Sequence, residues 1–120
     1  MRIVSVSALP HRHVDAHGSR GFRVGGLALT AEAHLVAVSL RPGGVIGRHP
    51  AAGRQLFLLV SGDAVASGED GSPVQLSTGQ AAVWEPGEQH EVRTEHGLTA
   101  LVVEGELDVA DPSRPEAQQL

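Results

Sequence analysis

The 120-residue sequence predicts an all-β fold, a single barrel or sandwich built from short strands. Short runs rich in Val and Leu are separated by turn residues, and the 15 Gly and 7 Pro recur along the chain at the spacing typical of such folds. Apolar side chains at Val36, Val38 and Leu40 alternate with smaller ones, which is the period of a strand with one buried face. No long window carries the apolar stripe of an amphipathic helix.

The strands are bounded by turns in which Gly or Pro supplies the backbone angles, at residues 41–44, 61–63, 68–71 and 85–87. Around these turns we predict strands over residues 3–7, 22–30, 34–40, 55–60, 63–67, 74–76, 81–84, 90–93 and 98–104. Residues 108–120 are polar and contain two Pro, so we expect a flexible tail after a single domain that spans residues 1–107.

Composition and charge exclude several classes of function. The sequence contains no Cys, Lys or Tyr, so thiol, Schiff-base and phenolic chemistry are absent, and seven His with 14 carboxylates remain for catalysis or binding. The net charge of −5 disfavours a nucleic-acid partner, because such a partner requires a basic face. The longest apolar run, residues 56–60, is far shorter than the roughly 20 residues of a membrane span. The amino-terminal residues lack a signal-peptide cleavage site, so we expect a cytoplasmic protein.

Two segments of the chain share one plan. Residues 42–62 and residues 79–94 each contain a glycine turn, an apolar strand and a His, His49 in the first segment and His90 in the second. Two hairpins of the same design, each offering a His, suggest that both imidazoles point into one barrel mouth.

These segments resemble the two conserved motifs of the cupin superfamily. The first motif is a Gly, five residues, His-x-His, three or four residues, Glu, six residues and Gly, and its places hold Gly43, His49, Ala51, Gln55 and Gly62. The second is a Gly, five residues, Pro-x-Gly, two residues, His, three residues and Asn, and its places hold Gly79, Glu85, Gly87, His90 and Thr94. The resemblance implies a double-stranded β-helix, the jelly-roll barrel of the cupins.

The same resemblance implies a metal site with a reduced set of ligands. Metal-binding cupins hold a divalent ion with three His and one Glu, whereas the matching positions here are His49, Ala51, Gln55 and His90. Ala51 ligates nothing, and Gln55 offers only a neutral amide oxygen. One divalent transition metal (Zn, Fe, Mn or Ni) held by His49, Gln55 and His90 is one interpretation, and a pocket without metal is the other.

Further pocket residues follow from their places around the two His. Phe57 shares a strand face with Gln55, so both face the barrel interior if Gln55 faces the site. Trp84 closes a strand before the second turn, where it would floor the pocket or pack in a subunit interface. Arg48 and Arg54 flank the predicted mouth, where a guanidinium would bind a carboxylate or phosphate as an alternative to being solvated.

Two classes of function remain open. One is a small-molecule enzyme of the isomerase, cyclase or dioxygenase type, with His49 and His90 as catalytic groups, either beside a metal or as general acid and base. The other is a metal-free module that binds or senses a small molecule without catalysis. A homodimer is expected in either case, because both faces of the strand over residues 56–60 are apolar and need to be covered.

Overall fold

The computed structural model describes residues 1–18, 20, 22–24 and 27–109. Two short 3₁₀ turns, Val6–Ala8 and Ala16–Gly18, accompany the strands in these ranges. The strands are β1 Arg2–Ser5, β2 Arg12–Val14, β3 Phe22–Val24, β4 Ala28–Leu40, β5 Val45–Pro50, β6 Arg54–Gly62, β7 Ala64–Ser67, β8 Val74–Leu76, β9 Gln80–Trp84, β10 Gln89–Arg93 and β11 Leu98–Val109. No helix in the described part of the chain is long and apolar enough to cross a membrane.

The strands form two antiparallel sheets that pack face to face, as the sequence predicts for a jelly-roll barrel. The larger sheet has the order β1-β9-β6-β11-β4, and the smaller sheet has the order β5-β10-β7-β8. Strands β2 and β3 form a separate two-stranded ribbon. In the larger and the smaller sheet, most neighbouring strands are not consecutive in the chain. The chain therefore crosses repeatedly from one sheet to the other, as in a double-stranded β-helix.

The main core fills the space between the two sheets. Alternation along β6 turns Phe57 and Leu59 inwards, where they pack with Trp84 of β9 and Val92 of β10. Phe57 and Trp84 meet edge to face, with ring centroids 6.3 Å apart. Most other core positions hold Ala or Leu, so these two rings supply much of the aromatic surface that the core buries.

The outer face of the larger sheet carries a second apolar cluster. Leu56 of β6 and Val83 of β9 are buried there, with Leu27 and Val4 packed against them. Leu9 extends this cluster by packing on the same two residues, so the amino-terminal segment of the same chain covers part of the sheet. Within one chain, this strand is therefore buried on its outer face at Leu56 and on its inner face at Phe57 and Leu59.

Strand lengths differ from the prediction in both long strands of the larger sheet. The prediction gives two strands, 22–30 and 34–40, with a break between them. In the structure the end of the first strand and all of the second belong to one strand, β4 Ala28–Leu40. Pairing with β11 on both sides of a bulge at Ala31 overrides the weak strand propensity of Ala and Glu at residues 31–33. Strand β11 extends to Val109, two residues into the predicted tail, because Leu107 and Val109 are buried in the outer cluster. The remainder of that tail, residues 110–120, lies outside the described residues.

Two strands that the sequence analysis did not predict complete the sheets. Strand β2 pairs with β3 in the ribbon near the amino terminus. Strand β5 forms the edge of the smaller sheet and ends at Pro50, directly after the first motif His, where it pairs with β10. Its Gly and Arg content hides the strand period, and its register with β10 is what places His49.

Candidate functional site

Strands β5 and β10 bring the two motif histidines together. His49 lies directly opposite His90 in the antiparallel register of this pair. Their ring centroids are 4.3 Å apart, with an angle of 53° between the ring planes. A register shift between His90 and Val92 marks a bulge beside the site, the kind of irregularity that redirects a side chain. The structure thus places the two imidazoles as one pair at one end of the core.

The two motif loops are joined next to this pair by reciprocal backbone hydrogen bonds. The N–H of Ala51 donates to the carbonyl of Glu88 at 3.0 Å, and the N–H of Gly87 donates to the carbonyl of Ala51 at 2.8 Å. Gly87 has a φ of +81°, a left-handed conformation that glycine adopts without strain. This turn chemistry explains why residues from two distant segments meet with a fixed spacing.

Each imidazole is oriented by a backbone carbonyl on its own strand or turn. The Nδ1 atom of His49 lies 2.7 Å from the carbonyl oxygen of Gly47, and the Nδ1 atom of His90 lies 3.3 Å from that of Glu88. A carbonyl oxygen only accepts hydrogen bonds, so the proton of each neutral ring is on Nδ1 and the lone pair is on Nε2. Each ring, when neutral, therefore offers Nε2 as its acceptor.

The two imidazoles differ in environment. His90 is only 2% exposed and stacks against the indole of Trp84, with centroids 4.6 Å apart, whereas His49 is exposed at the edge of the sheet. Burial lowers the pKa of His90 below its ordinary value of 6.5, and the neighbouring His49 lowers it further, against the opposing effects of the Glu88 carbonyl and the Glu104 carboxylate. His90 is therefore held as the neutral base at physiological pH.

A carboxylate that the sequence analysis did not single out joins the site. Glu104 of β11 lies directly opposite Gln55 of β6, and the Gln55 side-chain amide donates to the Glu104 carboxylate at 2.5 Å. The sequence carried a signal for this residue. Ala100, Val102 and Glu104 share one face of a strand by alternation, so a charged group follows apolar residues on the core side.

Phe57, Trp84 and Ala51 line the apolar side of the site. All three side chains are buried in the main core, with Phe57 1% exposed. The indole N–H of Trp84 donates to the carbonyl of Ser67 at 3.1 Å. The ring of Trp84 stacks on His90 in the main core.

Both arginines expected at the mouth are bound to acceptors of the protein. Arg48 donates to the carbonyls of Gly68 and Glu69, at 3.2 and 2.9 Å. Arg54 donates from Nε to the Glu85 carboxylate at 2.6 Å and from Nη1 to the carbonyl of Leu107 at 2.5 Å. These contacts hold loops and strand ends together and use two of the five N–H donors of each guanidinium. Anion binding by either Arg stays a prediction from the sequence.

Comparison with known proteins identifies the family. The family model described as "Cupin domain" matches residues 36–104, which include both motifs, both imidazoles and Glu104. The chain belongs to the cupin family. A search of curated proteins finds no match to this cupin.

Solved structures with the same fold are similar to this cupin at low sequence identity. A conserved protein with a double-stranded β-helix domain from Klebsiella pneumoniae has a TM-score of 0.55 and 22% identity, over 68% of this chain and 77% of that one. A cupin 2 conserved barrel domain protein from Salinispora arenicola has a TM-score of 0.57 and 20% identity, over 65% of this chain and 66% of that one. The DMSP lyase DddQ from Ruegeria pomeroyi has a TM-score of 0.57 and 20% identity, over 68% of this chain but 45% of its own. These similarities show the fold.

The donors of this cupin do not fit the family's set of three His and one Glu. Ala51 is buried in the core, and the Gln55 amide is engaged with Glu104. Among the described residues, no three His, Cys, Asp or Glu side chains converge closely enough to hold a metal ion. Two imidazoles and a neutral amide compensate a divalent charge poorly, so the metal site of His49, Gln55 and His90 stays a prediction from the sequence.

Proposed function

We propose that this cupin binds a small organic molecule, without a resident metal, beside His49, His90, Gln55 and Glu104. The observation that carries the proposal is the pairing of two imidazoles, each with Nδ1 directed at a backbone carbonyl, at the end of an otherwise apolar core. A few convergent polar groups above apolar walls are the usual composition of a ligand site.

The gradient of burial across the site supports this proposal. Phe57, Trp84 and His90 are buried. His49, on the edge strand β5 of the smaller sheet, and Val36, on the edge strand β4 of the larger sheet, are exposed. Val36 of β4 lies opposite Val102 of β11, which in turn lies opposite Phe57 of β6, so the three share the inner face of the sheet. A small ligand on this face would cover Val36 while reaching the polar groups of the pair.

A second candidate function, general-base catalysis, is favoured by the state of His90. A buried neutral imidazole with its lone pair on Nε2 accepts a proton from a bound substrate, and Glu104 stabilises the imidazolium that forms, since its charge favours protonation of His90. The structural neighbour DddQ, named as a DMSP lyase, shows that the fold accommodates an enzyme.

The single Trp of the sequence provides a direct binding assay. Trp84 is the only Trp and there is no Tyr, so the intrinsic fluorescence reports the ring that stacks on His90. We expect members of a panel of small amines, alcohols and carboxylic acids to change this fluorescence and raise Tm in a saturable manner. His90→Ala should lose the response, and His96→Ala, a matched change of an exposed His on a turn, should keep it. A panel without any saturable response contradicts the proposal.

Metal analysis separates this proposal from the metal-dependent alternative. We expect protein purified without a His tag to contain substoichiometric metal that His90→Ala and Gln55→Ala leave unchanged. One equivalent of Zn, Fe, Mn or Ni, lost in both variants, contradicts a metal-free site. Turnover of a compound that binds would extend the assignment from binding to catalysis, and loss of that turnover in His90→Ala would identify the general base.

A further inference from the structure

Glu104 supplies the negative charge of the candidate site. It lies opposite Gln55 in the sheet, on the strand that borders β6, and its charge acts on His90. Position 55 itself holds a neutral amide where the cupin motif has Glu. The carboxylate at this end of the core is therefore contributed by β11 instead of β6.

Gln55 orients this carboxylate without neutralising it. Its amide N–H donates to one oxygen of Glu104, and an amide carries no charge. A carboxylate can accept several hydrogen bonds, and the bond from Gln55 is one of them. The arrangement fixes the direction of the carboxylate and leaves acceptor capacity for another donor.

No cation within the described part of the chain forms an ion pair with Glu104. Arg54 directly precedes Gln55 in β6, but its guanidinium is bound to Glu85 and to the carbonyl of Leu107. His34 lies opposite Glu104 on β4 but makes no ion pair with it. The charge of Glu104 is thus not matched by an ion pair with any residue that the structure describes.

A cavity of about 310 Å³ opens directly onto this carboxylate. Its wall is formed by paired segments in the middle of β4 and β11, with Glu32, Ala33, His34, Glu104, Gly105 and Glu106. Among the described residues, this wall includes three Glu and no Arg, so an anionic ligand would be repelled there.

We infer that Glu104, held by Gln55, makes this site selective for a ligand that carries a positively charged amine or a comparable strong hydrogen-bond donor. The inference rests on the proposed binding function, which it deepens by naming the chemical class of the ligand. A charge-assisted hydrogen bond to a partly buried carboxylate is stronger than the bond that a neutral hydroxyl makes there. Glu104 is the specificity-determining group, and Gln55 is its positioning residue.

A matched series of probes tests this inference at constant ionic strength and neutral pH. n-Butylamine, n-butanol and n-butyrate have the same carbon chain and differ in the charge of the head group. Their dissociation constants are measured from Trp84 fluorescence and from the NMR signals of the His49 and His90 rings. We expect the amine to bind roughly five- to tenfold more tightly than the alcohol, and the carboxylate to bind most weakly.

Isosteric variants separate the local effect of Glu104 from the overall charge. Glu104→Gln should abolish the preference for the amine, and Gln55→Ala should reduce it. Glu95→Gln makes the same change in net charge on an exposed turn and should retain the preference. An unchanged amine preference in Glu104→Gln, or a wild-type preference for n-butanol or n-butyrate, overturns the inference while the binding function stands. Absence of binding by all three probes to the wild type contradicts both.

Discussion

At the level of single residues, the pair of Gln55 and Glu104 explains how the site tolerates the loss of the motif Glu. The two side chains are directly opposed in register and joined by one hydrogen bond. One partner must be neutral, because two carboxylates at this separation repel each other. The effect of a residue change at position 55 therefore depends on the residue at position 104.

Restoring the motif residue alone should destabilise the protein. Gln55→Glu places two carboxylates opposite each other, and we expect a loss of about 1 kcal/mol in the free energy of unfolding at pH 7. Adding Glu104→Gln exchanges the two roles and should recover most of this loss. Urea unfolding of the wild type, both single variants and the double variant measures the coupling. A double variant no more stable than Gln55→Glu would contradict the coupled pair.

Glu88 is the residue that ties the amino terminus and two turns to the site. Its side chain, 13% exposed, accepts hydrogen bonds from the Met1 ammonium at 2.7 Å and from the N–H groups of Glu85 and Glu69 at 3.0 and 3.3 Å. Burial by itself raises the pKa of Glu88, but these donors outweigh it and hold the pKa below its ordinary value of 4.5. Its carbonyl also orients His90.

The lowered pKa of Glu88 predicts how stability depends on pH. A carboxyl with a lower pKa in the folded state stabilises the fold above its unfolded pKa, and this contribution is lost as the pH falls through the folded value. Glu88→Gln should therefore cost about 1–3 kcal/mol at pH 7, with a smaller difference from the wild type below pH 4.5. Urea unfolding of untagged protein at several pH values checks this, with Glu95→Gln as control. A difference independent of pH would contradict it.

At the level of elements, glycine turns set the spacing between the strands of the two motifs. Gly62 ends β6 with a φ of +91°, and a Cβ atom at this position would collide with the carbonyl of Gly97. Gly71 has a similar φ of +74°, but a Cβ atom there would meet nothing within 4 Å. The two glycines thus share one backbone requirement and differ in the space around them.

Alanine substitutions should separate these two requirements. We expect Gly71→Ala to cost about 1–2 kcal/mol through backbone strain alone. Gly62→Ala should cost a further 1–3 kcal/mol, roughly the penalty for overpacking, because the Gly97 carbonyl must move. Denaturant unfolding at neutral pH measures both values. Equal losses for the two variants would show that close approach at Gly62 contributes nothing.

The sequence predicts the elements well where turn residues bound an alternating run, as at residues 74–76 and 81–84. The sequence does not predict the length of β4, because Ala31 and Glu32 disfavour strands. The strand continues because Glu32 and Thr30 pair with β11 on either side of a bulge at Ala31. The pairing of His49 with His90 depends on the register of β5 and β10. Motif spacing predicts that register only through the family resemblance.

The candidate site was predicted incompletely for a related reason. The motifs identify His49, Gln55 and His90 but contain no place for Glu104, which belongs to the strand after the second motif. Its relevance follows from the adjacency of β6 and β11, a contact between strands far apart in sequence. The guanidinium contacts of Arg48 and Arg54 likewise depend on loops that sequence spacing does not position.

At the level of the whole molecule, the outer face of the larger sheet remains partly uncovered in the described part of the chain. Leu35 is 69% exposed, and Leu101 and Val60 are also exposed, on three neighbouring strands. Alternation places Ala, Ser, Thr, Val and Leu on the β4 and β11 part of this face, over residues 33–39 and 99–103, without a charged group. A surface without charges is best matched by another such surface, and a second copy of this chain provides one.

We therefore propose that the protein forms a two-fold homodimer through this face, as expected from the sequence. Sedimentation equilibrium at micromolar concentration should show a dimer for the wild type and a monomer for Leu35→Glu. Val45→Glu, the same change at an exposed apolar residue of the smaller sheet, should remain dimeric. A monomeric wild type, or a dimeric Leu35→Glu variant, would contradict this interface.

The proposed binding function is tested most directly by identifying what occupies the space beside the paired imidazoles. A high-resolution crystal structure of untagged protein grown with n-butylamine measures this directly, with anomalous scattering to detect any transition metal. We predict an ammonium group bound to Glu104, with the Gln55 amide still donating to the same carboxylate and no metal at either Nε2 atom. An anomalous peak bonded to His49 and His90, with Gln55 turned away from Glu104 to ligate it, would contradict the account.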